Sequence, residues 1–156
     1  MTLIKGDPSY IDDKEKYFIN IAKAVREGSN HPTIPGGCII ARDREIIGDG
    51  RNLLAACKVE IDCISYAIGV ASKRGTSLAG SVVYSTRYPF SSSVFQLHLM
   101  GIKKVIVLSE GEWEPYYVDE FRRASRLGDE LQVKIIDYYE DKDQRFATNT
   151  QAPKFN

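Results

Sequence analysis

GGCIIARDREIIGDGRN, residues 36–52, is the stretch whose reading decides the architecture of this chain. Two short, β-branched apolar runs flank Arg42-Asp43-Arg44, and that polar break predicts a β-hairpin. Ahead of it, SNHPTIPGG (29–37) is rich in turn formers. Segment 12–26 places Tyr17, Ile21, Ala24 and Val25 on one helical face, with acidic residues early and Gly28 just after. Behind it, residues 59–74 carry Val59, Cys63, Ile64, Ala67, Ile68 and Ala71 at the spacing of a buried helix face, closed by Arg74 and Gly75.

From there the pattern alternates. SVVYST (81–86) is a short strand, SSSVFQLHLM (91–100) a helix opening on serine caps, and KKVIVLS (103–109) a strand. Residues 114–128 repeat apolar side chains at Tyr117, Val118, Phe121, Ala124 and Leu127, and LQVKIIDYY (131–139) supplies a fifth strand. Strands joined by helical crossovers lie parallel. The expected fold is therefore α/β, a three-layer α/β/α sandwich around a five-stranded mixed sheet. Residues 1–140 form the expected single domain, and 141–156 a polar, loosely ordered tail or an arm for a partner.

At 156 residues, 43% hydrophobic and 27% charged, the chain supports one packed core. Its 21 basic and 21 acidic residues cancel, which removes a strong uniform field for nucleic acid or anionic membrane but leaves room for a local patch. The first ten residues hold no apolar leader core, and no apolar run approaches the roughly 20 residues of a membrane helix. A soluble cytoplasmic protein is the default. Three cysteines, Cys38, Cys57 and Cys63, make an odd number with no secretory signal, so reduced thiols are expected rather than a disulfide framework.

The order of elements, with GGCIIARDREIIGDGRN at 36–52, KVE at 58–60 and YSTRYPFSSSVFQLHLMGIKKVIVL at 84–108, resembles the cytidine and deoxycytidylate deaminase superfamily, in its deoxycytidylate and tRNA-adenosine deaminase branch. The resemblance runs from about residue 12 to 137. It implies a His or Cys at the start of the second helix and two cysteines at the start of the third, together holding a zinc ion whose bound hydroxide attacks the ring while a glutamate shuttles protons. Aligned on that pattern, Lys58 takes the first ligand position, Phe90 and Ser93 the two cysteines, and Glu60 the proton shuttle. Charged lysine has no lone pair, phenylalanine has no ligand atom, and a serine hydroxyl is a weak substitute for thiolate. The expectation is a member lacking the zinc ligands, with no metal and no cofactor.

Cys57 and Cys63 flank the aligned position, but Cys57 precedes the helix, Cys63 falls on its apolar face, and their spacing does not converge on one ion. His31 and His98 read as an ordinary loop residue and a surface or satisfied histidine. Lys58 either brings charge to the place of the zinc, with Glu60 as counter-ion, or points to solvent while Glu60 favours the helix N-terminus. Phe90 reads as a hydrophobic plug of the vacated volume. Ser91, Ser92 and Ser93 could receive an anion at the third helix or serve as caps. Asn52 aligns with the asparagine that the resemblance assigns to the sugar, or does turn work. Arg87 and Tyr88 lie beside the same pocket, and Trp113, Tyr116, Tyr117, Arg122 and Arg123 mix aromatic and basic character, half of it core at helical spacing.

Two functions of different class stay open. One is a non-catalytic, deaminase-like protein that binds a nucleotide or nucleic acid through Asn52, Lys58, Glu60, Arg87 and Ser93, or acts as an inactive subunit in a homo-oligomer or beside an active deaminase. The other is a zinc-independent enzyme on a nucleotide or small metabolite, with Glu60 as base and Lys58 as its electrostatic partner. A purely structural subunit with a filled pocket is held in reserve.

Overall fold

The computed structural model describes residues 13–110 and 113–140, so the expected tail at 141–156 lies outside the described residues. Helix α1 (Asp13–Arg26) leads into the hairpin β1 (Gly37–Arg42) and β2 (Glu45–Arg51). A small ribbon follows, β3 (Leu53–Leu54) against β4 (Glu60–Ile61), then α2 (Cys63–Lys73), β5 (Val82–Ser85), α3 (Ser91–Leu99) and β6 (Lys104–Leu108). A single 3-10 turn (Pro115–Tyr117) precedes α4 (Val118–Leu131), and β7 (Lys134–Tyr138) ends the described fold.

The main sheet runs β2-β1-β5-β6-β7. β1 is antiparallel to both neighbours, while β5, β6 and β7 are parallel, as their helical crossovers dictate. Alternation across the pleat then sorts two cores. Ile39, Ala41, Tyr84, Ile106 and Leu108 pack with Phe18 and Ile19 of α1. Cys38, Ile40, Val83, Val105 and Val107 pack on the other side with α2, α3 and Phe121 of α4. The expected three-layer α/β sandwich with a five-stranded mixed sheet is the observed one.

The hairpin turn has Asp43 at φ 51° and Arg44 at φ 68°, both in the left-handed region that two-residue hairpin turns demand and that glycine adopts at least cost. Arg44→Gly is expected to stabilise the chain by about 0.5–1 kcal/mol, the relief of left-handed strain less the entropy glycine gives up. Urea unfolding would read this as a higher midpoint at constant slope, and a lower midpoint would refute it.

Two helix expectations are corrected. On α1, Phe18, Ile19 and Ala22 are buried, whereas Tyr17 and Ala24 face solvent; the helix is rotated so that Phe18 packs on Tyr84 of β5, with ring centres 5.0 Å apart. The second helix begins at Cys63, four residues later than the periodicity predicts. Val59 is exposed, and Glu60 and Ile61 pair with Leu54 and Leu53 as strand. Asp62 is the residue that starts the helix, its carboxylate accepting the Ser65 N–H at 2.6 Å. Gly50 lets this helix close on β2, since a Cβ there would run into the Cys63 carbonyl and the Ala67 amide.

Among the described residues, no helix is long and apolar enough to cross a membrane.

Candidate functional site: a carboxylate hub beside a cleft at the strand ends

β5 and β6 end, and β1 begins, at the same edge of the sheet. The register Cys38↔Ser85 places Gly37 beside Thr86, and the two residues exchange hydrogen bonds: Thr86 N–H to the Gly37 carbonyl at 2.9 Å and Gly37 N–H to Thr86 Oγ1 at 3.0 Å. Crevices at the carboxyl ends of parallel strands are where α/β sheets hold ligands, because chain connections diverge there. A cleft of about 280 Å³ opens at this edge, lined among others by Ile34, Pro35, Arg87, Tyr88, Trp113 and Tyr117.

Glu60 stands at the centre of the polar groups behind that cleft. Its Oε1 accepts from Arg87 Nη1 at 2.7 Å and from Asn52 Nδ2 at 3.4 Å; its Oε2 accepts from the Tyr117 hydroxyl at 3.2 Å. The Glu60 side chain is 16% exposed and that of Arg87 7%, so this ion pair sits largely out of water. Arg87 also lies beside the stacked Phe90–Tyr117 ring pair, with its guanidinium 5.5 Å from the Phe90 ring centre and 5.1 Å from that of Tyr117. The same surroundings push the Tyr117 hydroxyl above its ordinary pKa, chiefly by burial and then by the Glu60 charge. Room for the arginine stem comes from Gly36, where a Cβ would stand 2.7 Å from Arg87 Cδ.

The loop between α1 and β1 closes the hub from the other side. Asn52 is fully buried and spends its whole amide inside the protein: Oδ1 accepts from the Gly36 N–H at 2.7 Å and from the Ser29 hydroxyl, while Nδ2 donates to the Ile34 carbonyl at 2.8 Å and to Glu60. His31 Nδ1 accepts from the backbone N–H of Ile34 at 2.9 Å and of Thr33 at 3.3 Å, which assigns the ring hydrogen to Nε2. That Nε2 lies 3.7 Å from Glu60 Oε2, close enough for electrostatic contact but beyond hydrogen bonding.

Of the residues singled out in the sequence, Asn52, Glu60 and Arg87 come together, and Lys58 and Ser93 do not join them. Lys58 sits exposed at the tip of the β3–β4 ribbon with φ 69°, so Arg87, and not Lys58, is the cation on Glu60. Ser93 is buried and donates its hydroxyl to Asp62 Oδ2, linking the start of α3 to the start of α2. Ser65 joins the link, its Oγ 3.3 Å from Ser93 Oγ and 2.7 Å from Gln96 Oε1. The anion cradle at Ser91 is filled from within, because Glu120 of α4 accepts both the Ser91 N–H at 2.7 Å and its hydroxyl. His31 is more than an ordinary loop residue.

Sequence reasoning missed Asp62 and His31 as members of this region. Asp62 carried a legible signal, an aspartate three residues before Ser65 at the head of an apolar periodic run. His31 carried none, since only the tertiary fold brings it to Glu60.

The zinc implied by the resemblance does not fit the residues present. At the two helix starts stand Asp62, Phe90 and Ser93, of which one has no ligand atom and the other two hydrogen-bond to each other. Phe90 instead stacks on Tyr117 and Phe121, with ring centres 5.8 and 5.9 Å away. Cys63 points into the core against Ser85 Oγ, Cys38 donates to the Cys63 carbonyl, and Cys57 is exposed elsewhere. Among the described residues, no three His, Cys, Asp or Glu side chains group as a metal site would require.

No protein-family description and no curated protein matches this chain. Solved structures do match it. The dCMP deaminase of the cyanophage S-TIM5 superposes with a TM-score of 0.67 at 16% identity, over 82% of this chain and 99% of that one. A diaminohydroxyphosphoribosylaminopyrimidine deaminase/5-amino-6-(5-phosphoribosylamino)uracil reductase from Thermotoga maritima gives 0.64 at 19% identity, over 80% of this chain and 36% of the larger enzyme. A tRNA deaminase that edits A to I at the wobble position gives 0.55 at 15% identity, over 81% of this chain and 98% of that one. At such identities the likeness establishes the fold alone, the one these deaminase structures share.

Proposed function

From a deaminase fold whose helix starts carry Asp62, Phe90 and Ser93, we propose that this protein works without zinc, does not deaminate, and binds a small nucleotide-class ligand in the cleft beside Arg87. The observation that carries the reading is Arg87 itself: a buried guanidinium, fixed by Glu60 at Nη1 and set beside two stacked aromatic rings, in the lining of a strand-end cleft. A site organised to this degree around one donor suits ligand recognition better than solvent. A cleft of about 280 Å³ lies just under the size range of typical small-molecule sites, which favours a single nucleotide or less over a nucleic-acid strand. The chain's balanced charge points the same way, because strand binding draws on an excess of Lys and Arg.

A second reading keeps its place on one observation. Glu60 has a tyrosine hydroxyl at 3.2 Å and a histidine nitrogen at 3.7 Å, the ingredients of metal-free proton transfer, with Arg87 in the role first given to Lys58. The inactive-subunit role draws support from Phe95 and Leu99, which leave a one-turn apolar strip exposed on α3.

Elemental analysis of the purified protein, ammonia release from cytidine and dCMP, and calorimetric titration with CMP and dCMP test the proposal together. Metal well below one equivalent, no ammonia and a measurable heat of binding are expected. Stoichiometric zinc or turnover would overturn it, and sedimentation velocity on the same sample reads the subunit role directly.

A further inference from the structure

We infer that the cleft recognises an uncharged, planar, acceptor-bearing ring, a free nucleobase or a heterocycle like it, and makes no use of a sugar or a phosphate; this rests on the ligand-binding reading above. Three observations carry it. The first is an unused donor: Arg87 Nη2 is buried and has no hydrogen-bond partner among the described residues, while Nη1 is taken by Glu60. The adjacent Phe90 and Tyr117 rings offer π faces but no lone pair. A buried guanidinium N–H without an acceptor is unfavourable by more than a neutral one, and a ring carbonyl entering from the cleft would supply the acceptor.

The second observation is charge. Arg26 is bound to Glu110 at 2.9 Å and Arg87 to Glu60 at 2.7 Å, and Glu114 adds a further exposed carboxylate to the lining. Both guanidinium groups of the lining are therefore already paired with carboxylates, Arg26 with Glu110 and Arg87 with Glu60 behind the cleft, and Glu114 brings a further negative charge to the lining. A phosphate brought here would meet like charge in partly desolvated surroundings, whereas a neutral ring would not. The N-terminus of α3, the natural place for a phosphate, already holds the Glu120 carboxylate.

The third is the fate of Asn52. All its amide contacts are internal and it is closed to solvent, so it has nothing left to offer a sugar hydroxyl. What the cleft does offer is aromatic surface, Tyr88 and Trp113 with ring centres 5.0 Å apart, together with Tyr117, suited to stacking a flat ring.

Trp113 is the single tryptophan of the chain and lines the cleft, so its emission reports occupancy directly. Uracil, cytosine, uridine, UMP and inorganic phosphate would each be titrated into the full chain. The bases and uridine are expected to quench with dissociation constants within about threefold of one another, a spread under 1 kcal/mol, and UMP to bind no tighter than uracil. Phosphate is expected to leave the emission unchanged and not to compete. UMP binding about tenfold or more tighter than uracil, or competition by phosphate, would overturn the inference while leaving ligand binding intact. No quenching together with no calorimetric heat for CMP or dCMP would sink the ligand-binding reading as well. Arg87→Lys keeps the charge but gives up the planar fork, and is expected to weaken uracil about tenfold. Where that variant does not fold, the ligand series on the unaltered protein decides alone.

Discussion

Arg87→Ala is expected to cost the fold about 3–5 kcal/mol, the usual penalty for stripping one partner from a buried ion pair. The loss is large because of what remains. Glu60, 16% exposed, would keep its charge with only the Asn52 amide, the Tyr117 hydroxyl and the more distant His31 ring to solvate it. Phe90 and Tyr117 would lose the guanidinium beside their stacked rings. Against a total stability of about 5–15 kcal/mol for a domain of this kind, that is a substantial fraction. Urea unfolding of Arg87→Ala, Glu60→Gln and the Glu60→Gln/Arg87→Met pair would separate the causes. The double variant is expected to recover a good part of the loss, since no charge is left buried and the methionine stem refills the space beside Gly36. A cost under about 1 kcal/mol for Arg87→Ala would place the pair in water after all, as for an exposed salt bridge.

Phe121→Ala is the other change with a large expected effect, about 3–5 kcal/mol from lost transfer energy and the cavity left behind. Phe121 is 5% exposed and is the common neighbour of four rings, with Trp113 at 5.3 Å, Tyr88 at 5.4 Å, Tyr117 at 5.7 Å and Phe90 at 5.9 Å. It is the piece of α4 that joins the core to the cleft wall. Removing it is therefore expected to do two things at once: lower the unfolding midpoint, and shift the Trp113 emission as the indole loses its edge contact and takes up water. Destabilisation with an unchanged emission spectrum would mean that the cleft wall is held by something other than this aromatic fan.

The two variants also divide what was legible in advance. Phe121 was readable from the sequence, because Tyr117, Val118, Phe121 and Ala124 recur at helical spacing and such spacing is a property of neighbours in the chain. The partner of Glu60 was not. Lys58 lies two residues away and Arg87 twenty-seven, yet the strand at Glu60–Ile61 and the turn before it carry Lys58 out to solvent while the end of β5 delivers Arg87. The misplaced start of α2 produced the same error: a helix opening at 59 would have set Lys58 at its head, whereas the Asp62 cap sets the head four residues on and brings Asp62 to Ser93.

By itself the sequence determined the order of the five main-sheet strands and the four helices, the hairpin and the parallel pairings that follow from the lengths of their connections, the neutrality of the chain, and the residue types at Phe90 and Ser93, neither of which has a thiolate's donor atom. All of these depend on local periodicity, on composition or on the chemistry of one side chain. The tertiary structure alone decided that His31, Asn52, Glu60, Arg87 and Tyr117 meet, that Glu120 occupies the start of α3, and that one edge of Arg87 is left without an acceptor. Those contacts join residues that are 8 to 57 positions apart, and their formation is fixed by sheet register and helix packing rather than by any pattern along the chain.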